Sequence, residues 1–335
     1  MVTIYDIAKK ANVSPMTVSR VLNNTGRISE ATRARVKKIM EEYNYVPNSM
    51  ARSLVKQETK IFSLLITDIT NPFYTTLARG AEDAAKRYGY KVMFSNSDEE
   101  LDKESDYLEA ILSTKVDGVL FAPSGDRSLE HLQMLRKHNI PFVLLDREVP
   151  GIEFDAVVGD SKEGAKNLVH HLIGLGHRNI AFINGSLEVS TARLRQEGYV
   201  EALILNGISV NNEWIMEAGY KQFDADACVD RLLANEERPT AIFAANNLIA
   251  VRVIRTLRKR GLLVPDDMSV VCFDDLDPDM VVDPFLTVAA QPAYDFGSIG
   301  IGLLMERIQG VAGKEWRKVI LPSKLIIRDS AQPPK

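Results

Sequence analysis

From Ile61 onward the chain alternates short apolar runs with amphipathic stretches, and this pattern limits its architecture more than any other feature. IFSLLITDI, KVMFSNS, DGVLFAPS and PFVLLDRE read as strands, while TTLARGAEDAAKRYG and LEHLQMLRKHN between them read as helices. The series continues through NIAFING, TAIFAAN and SVVCFDD. Consecutive parallel strands need a crossover, and a crossover helix buries a face of the sheet. The pattern therefore predicts an α/β body with helices on both faces of parallel sheets. Two such doubly wound subdomains fit the length beyond residue 60.

In open sheets of this kind, ligands bind beyond the carboxyl ends of the strands. The residues found there are polar. TNPFY, after the first strand, carries Asn71, Phe73 and Tyr74; Asp146 and Arg147 follow the fourth. Arg195 lies in TARLRQEGY, Asn246 follows TAIFAA, Asp274 follows SVVCF and Gln291 follows LTVAA. Carboxylates and amides bond hydroxyls, arginine donates through a fixed fork, and aromatic faces cover sugar rings. The set suits a small polyhydroxylated ligand enclosed between two lobes. Its two arginines would alternatively suit an acidic or phosphorylated sugar.

The first 60 residues differ in charge. They hold 11 Lys/Arg against 5 Asp/Glu, while the rest of the chain holds 30 against 40. A basic head on an acidic body points to a polyanion as the partner of the head. Thr3 and Asp6 form a capping-box pattern, after which Ile4, Ile7, Ala8 and Ala11 share one helical face. Asn12 and Val13 make a break. Ser14 then caps a second helix with Pro15 at its first position, where a missing N–H costs nothing. Val18, Val21 and Leu22 turn inward and leave Met16, Thr17, Ser19, Arg20 and Asn23 outside. A third helix from the cap at Ser29 to Tyr43 is expected to bury Val36, Ile39, Met40 and Tyr43.

Three short helices with a tight turn make a helix-turn-helix, whose second helix enters the major groove. Pro15, Met16 and Arg20 are then placed to meet base edges, Arg20 by a bidentate contact to guanine, and Thr17, Ser19 and Asn23 to meet phosphates. The alternative is a small bundle with no nucleic-acid role. In YVPNSMARSLVKQ, Pro47 ends the third helix and Asn48 caps a segment of barely two turns. A helix that short is marginal alone and reads as a hinge that orders on DNA or a partner.

TIYDIAKKANVSPMTVSRVLNN followed by YVPNSMARSL resembles the DNA-binding headpiece of the lactose-repressor (LacI/GalR) family of bacterial transcription regulators. The body is similar to that family's periplasmic sugar-binding-protein-like core, so the resemblance spans nearly the whole chain. It implies a cytoplasmic homodimer that reads a palindromic operator. The implied contacts come from Thr3, Ser14, Pro15, Met16, Thr17, Ser19, Arg20, Asn23, Tyr45, Asn48, Ala51 and Leu54, with Leu54 wedged into the central base step from the minor groove. It implies a headpiece at 1–47, a hinge helix and linker at 48–58 and an effector-binding core at 59–335. The core chain would cross between subdomains near Ser161, Gln291 and Pro322, so that 61–161 pairs with 292–321 and 162–290 with 322–331.

The resemblance also implies a sugar effector held by Asn71, Phe73, Tyr74, Asp146, Arg147, Arg195, Phe223, Asn246, Asp274 and Gln291, in a pattern nearest to ribose-type members. Repression of carbohydrate-metabolism genes, relieved by the sugar, is the implied function; co-repression by a sugar or by a protein partner is the alternative. Two departures stand out. Asn246-Asn247 replaces the family's Asn-Asp, and the ending LIIRDSAQPPK carries no leucine heptads, which favours a dimer over a tetramer.

Other signals are set aside. FDDLDPDMVVD places Asp275, Asp277 and Asp279 like a calcium loop, but Met280 and Leu286 stand where that loop needs Gly and Glu. GSIGIG lies inside a helical stretch, so close packing explains it better than phosphate binding. His170, His171 and His177 lack metal-site spacing. No nucleophile constellation has a fitting context, so an enzyme with a DNA-binding head is disfavoured, and no cofactor or metal is expected. The cysteines Cys228 and Cys272 fit a reducing cytosol. No run approaches a membrane span, and no leader precedes the basic head, which disfavours a transport protein.

Overall fold

Three capped helices form the first of two units, Met1–Thr59 and Lys60–Lys335, in the computed structural model of the chain. The structure describes residues 2–45, 58–219, 223–234, 237–276 and 283–335. The hinge expected at Asn48, Ala51 and Leu54 lies outside the described residues, as do Asp277, Asp279 and Met280.

In the first unit, α1 (Ile4–Ala11) opens with the full capping box: Asp6 N–H donates to Thr3 Oγ1 and Thr3 N–H donates to Asp6 Oδ2 at 2.8 Å. Asn12, left-handed at φ +50°, ends it. Almost at once α2 (Pro15–Leu22) starts from Ser14, whose Oγ accepts from Thr17 N–H at 3.1 Å. Ser29 caps α3 (Glu30–Glu42) in the same way. Ile7, Ala8, Ala11, Val18, Val21 and Val36 make the core, with Ile39, Met40 and Tyr45 packed against it. Tyr43 departs from expectation. It lies one residue past the last turn of α3 and is exposed, with Lys10 Nζ 5.8 Å from its ring.

The second unit holds two sheets. Strands β1 (Ile61–Ile66), β2 (Lys91–Asn96), β3 (Gly118–Phe121), β4 (Phe142–Asp146), β5 (Asp155–Gly159) and β11 (Lys318–Leu321) pair in the order β11-β5-β4-β3-β1-β2, all parallel. Helices α4 (Pro72–Arg87) and α11 (Ala293–Ile308) cover one face through Leu77, Ala81, Phe296 and Leu304. Helices α5 (Leu101–Thr114) and α6 (Leu129–Lys137) cover the other through Leu108, Ile111, Leu132 and Leu135. At the β2 edge, Met93 and Phe94 remain exposed.

The second sheet comprises β6 (Ile180–Asn184), β7 (Ile215–Glu217), β8 (Ala241–Ala244), β9 (Ser269–Phe273), β10 (Thr287–Ala290) and β12 (Lys324–Ile326), in the order β12-β10-β9-β8-β6-β7. Helices α7 (Ser161–Gly174), α8 (Ser190–Leu205), α9 (Ala225–Ala234) and α10 (Asn247–Lys259) pack with it into one apolar cluster. Its strands run parallel except β12, which is antiparallel to β10. The exception has a simple cause: the chain reaches β12 from β11 across Pro322 and Ser323, without a crossover helix.

The chain passes between the sheets three times: at Asp160, at Gln291–Pro292 and at Pro322–Ser323. In each sheet the strand order reverses beside the first strand, between β1 and β3 and between β6 and β8, and a crevice opens at such points. Two of the three glycines of the GSIGIG run, Gly297 and Gly300, serve packing, while Gly302 faces open space. A Cβ at Gly297 would lie 2.0 Å from Leu77 O, and one at Gly80 2.0 Å from Tyr294 O, so α4 and α11 meet backbone to backbone. Gly297→Ala is expected to lower the unfolding free energy of this lobe by about 3 kcal/mol, because neither backbone can yield. Urea denaturation of the full chain measures it; an unchanged midpoint would refute the close approach.

Candidate functional site

On the first unit, Met16 and Arg20 stand on the solvent side of α2, and Pro15, Thr17, Ser19 and Asn23 flank them half-buried. Several of the flanking groups are partly committed to the helix itself. The hydroxyls of Ser14 and Thr17 bond at 2.9 Å, and the Asn23 amide donates to Ser19 O at 2.9 Å. Arg20 is therefore the prominent exposed cation of this face. Its stem crosses Gly26, where φ is +74° and a Cβ would come 3.3 Å from Arg20 Cδ. A turn without a side chain lets the arginine lie there. The sequence reading missed Gly26, although a glycine four residues past the end of a short helix is a readable turn signal.

On the second unit, the carboxyl ends of strands from both sheets line a narrow cleft, partly open to solvent. Asn71, Phe73, Tyr74, Asp146 and Arg147 line it from the first lobe; Arg195, Asn246 and Asp274 line it from the second. Two of these are helix caps. Asn71 Oδ1 accepts from Phe73 N–H at 3.0 Å and starts α4, with Pro72 behind it; Asn246 Oδ1 accepts from Ile249 N–H at 2.8 Å and starts α10. Capping holds each amide rigidly at the cleft wall.

The carboxylates are fixed by backbone conformation. Asp146 ends β4 and Asp274 follows β9, both left-handed, at φ +67° and +64°. Each such residue costs about 1 kcal/mol, a strain typical of sites that must aim a side chain. Tyr74 hydroxyl donates to Asp146 Oδ2 at 2.9 Å, and burial raises its phenol well above the ordinary range, so it stays a neutral donor. Burial pushes the Asp274 carboxyl up to about 6, against the opposing pull of Arg195, whose Nη2 is 3.7 Å away.

Arg195 is itself well placed. Its guanidinium lies 3.9 Å from the Phe273 ring centre, and Nη1 donates to Ala245 O at 2.7 Å. Its buried Nε has no hydrogen-bond partner among the described residues. Arg147 is gripped on both prongs by Glu99, at 2.6 and 2.7 Å.

Two expected contact residues sit elsewhere. Gln291 does not line the cleft; its Nε2 donates to Asp274 Oδ1 at 2.7 Å, holding that carboxylate from behind. Phe223 packs half-buried against the apolar cluster of the second lobe and is not part of the cleft wall. Asn247 is fully buried and also off the wall. Its Nδ2 donates to Asn71 Oδ1 at 3.3 Å and to Asp275 O at 3.0 Å, tying the lobes together. An aspartate has no donor for those two oxygens, so the amide at this position serves the lobe contact. A second tie joins Arg193 to Asp126 at 2.8 and 3.0 Å.

The wall also includes Asp68, Glu99, Thr191, Leu248, Ile249 and Arg252, which the sequence reading did not single out; Asp68 and Glu99 stand in the loops just past the ends of β1 and β2. Asp275, one of the calcium-like aspartates, forks Arg328 at 2.6 and 2.9 Å. His177 bonds Thr240 and Gln332 O and serves structure.

Residues 3–48 match the family model of bacterial regulatory proteins of the lacI family, and residues 169–331 match that of periplasmic binding protein-like domains. Catabolite control protein A of Priestia megaterium is 39% identical over 304 residues, 90% of this chain and 91% of that protein. The chain belongs to the lacI family of bacterial regulatory proteins. Among solved structures, the Lac repressor dimer bound to operator and the anti-inducer ONPF matches with a TM-score of 0.83 at 27% identity, covering 99% of both chains. A LacI family transcriptional regulator from Enterococcus faecium with bound ribose matches with a TM-score of 0.73 at 30% identity, over 82% of this chain and all of that one. As a lacI-family member the protein is a DNA-binding transcriptional regulator, not an enzyme. No described helix is long and apolar enough to cross a membrane.

Proposed function

We propose that this lacI-family protein is a cytoplasmic repressor of carbohydrate-metabolism genes, a homodimer that binds a palindromic operator and releases it when a monosaccharide fills the core cleft. One observation carries the effector reading: rigidly held amides, carboxylates and an arginine from both lobes converge on a single cleft. A ligand that bonds both lobes at once favours one relative position of the lobes over others, and that differential affinity is what allosteric control requires. Hydroxyl groups match this wall of paired donors and acceptors, and ribose heads the panel because the Enterococcus faecium relative holds it.

On the headpiece, Arg20 and Met16 read base edges, while Thr3, Ser14, Thr17, Ser19, Asn23 and Tyr45 support the backbone contacts. The exposed Met93 and Phe94 at the β2 edge offer an apolar surface that a second copy of the chain would cover. Selection of duplexes from a random library at fixed salt tests the DNA part. A palindromic consensus is expected; enrichment of a single asymmetric half-site would contradict dimeric reading.

A further inference from the structure

Among the described residues, the cleft wall carries three arginines, Arg147, Arg195 and Arg252, against four carboxylates, Asp68, Glu99, Asp146 and Asp274. Arginine forks are the usual protein receptors for phosphate. Here the fork of Arg147 is already filled. Glu99 Oε2 and Oε1 accept from Nη1 and Nη2 at 2.6 and 2.7 Å, Pro123 O accepts from Nη1 at 3.1 Å, and Asp146 Oδ2 lies 3.5 Å from Nε. The pair is withdrawn from water, with the Arg147 side chain 5% and that of Glu99 15% exposed.

The backbone shows that this carboxylate is placed, not merely adjacent. Asp98 and Glu99 are successive left-handed residues, φ +56° and +61°, although neither is glycine. Side-chain bonds hold the first of them: the Asn96 amide at 2.8 Å and Lys103 Nζ at 2.5 Å both donate to the Asp98 carboxylate. The strain of two such residues is sustained by these bonds and by the Arg147 fork, and its result is a carboxylate pre-positioned at the cleft wall.

We propose that Glu99 is a specificity-determining residue that excludes anionic ligands. By occupying the fork of Arg147 it turns an arginine that would seat a phosphate into a neutral wall, so the cleft takes uncharged sugars and rejects phosphorylated ones. A phosphate entering the cleft must either displace Glu99, leaving a buried carboxylate unpaired, or face it across a low-dielectric gap. The helix N-termini capped by Asn71 and Asn246 favour an anion by only about 0.3–1 kcal/mol each and do not offset this. The inference rests on the effector reading of the same cleft.

Calorimetric titration of the full chain with ribose, ribose 5-phosphate, glucose and glucose 6-phosphate tests it. The wild type is expected to bind one neutral sugar at least about 100-fold more tightly than its phosphate ester. Glu99→Gln removes the anion that neutralises the Arg147 fork and is expected to cut that preference at least about tenfold, by raising affinity for the ester. The double change Glu99→Gln/Arg147→Gln, which removes the guanidinium fork itself, is expected to lose that gain. A wild type that binds the ester as tightly as the parent sugar overturns the inference but leaves the effector reading standing, and needs no variant to fold. An unchanged preference in folded Glu99→Gln also overturns it. Absence of binding by all four compounds overturns the effector reading, and this inference with it.

Discussion

Arg20→Ala is expected to weaken binding to the selected operator by about 1–3 kcal/mol, roughly ten- to a hundredfold, and to leave sugar affinity unchanged. Arg20 is exposed on α2, and its stem rests over Gly26 rather than in the apolar core of the headpiece. Truncation therefore removes a contact without opening a cavity, and the helix caps at Thr3 and Ser14 stay intact. The loss should be specific to sequence: at the base pair that Arg20 reads, wild type discriminates and the variant does not. Anisotropy titrations on operators carrying each substitution measure this at one salt concentration. Equal loss on all sequences would make Arg20 a phosphate contact and move base reading elsewhere on α2.

Asp274→Asn is expected to lower sugar affinity at least about 100-fold while making the unliganded core more stable at neutral pH. The two effects share a cause. Burial raises the folded-state carboxyl from an ordinary 3.8 to about 6, so between those values the folded state holds a proton that the unfolded chain has released. Stability therefore falls as pH rises from about 4 to 6, and the ionised group costs about 3 kcal/mol above that window. Asparagine keeps an oxygen for Gln291 Nε2 and carries no charge. Its stabilising effect should be present at pH 7.5 and vanish below about pH 4, as urea midpoints at the two pH values will show. Equal midpoints at pH 7.5 would mean that Asp274 is not strained by burial. Undiminished sugar affinity would remove it from the site.

Much of this was legible because short-range chemistry is local. Thr3, Ser14 and Ser29 are caps whose partners lie three residues away, so sequence spacing alone identifies them. The strand-end rule led to Asp146, Arg195 and Asp274 for a similar reason: alternating strands and helices set where each strand stops. Glu99 was hidden because its role depends on a left-handed backbone pair and a partner 48 residues away, inside an acidic run that reads as an ordinary helix start. Asn247, noted in the sequence only as a departure from the family's Asn-Asp pair, follows Asn246 at the start of α10. One residue along a helix turns a side chain by about 100°, and here that step aims it at Asn71 and Asp275 instead of the cleft. Tyr43 followed the helical period of α3 but lies just past its end, where the period no longer applies.

The most direct test of the central claim, that one cleft controls one DNA-reading surface, is anisotropy binding of the full chain to its selected palindromic operator with and without ribose and the other neutral monosaccharides. The account predicts that one sugar shifts the operator curve to weaker binding, and that Asp274→Asn binds operator normally yet shows no shift. If a sugar binds the wild-type core by calorimetry and the operator curve does not move, the cleft and the headpiece are uncoupled and the account is wrong.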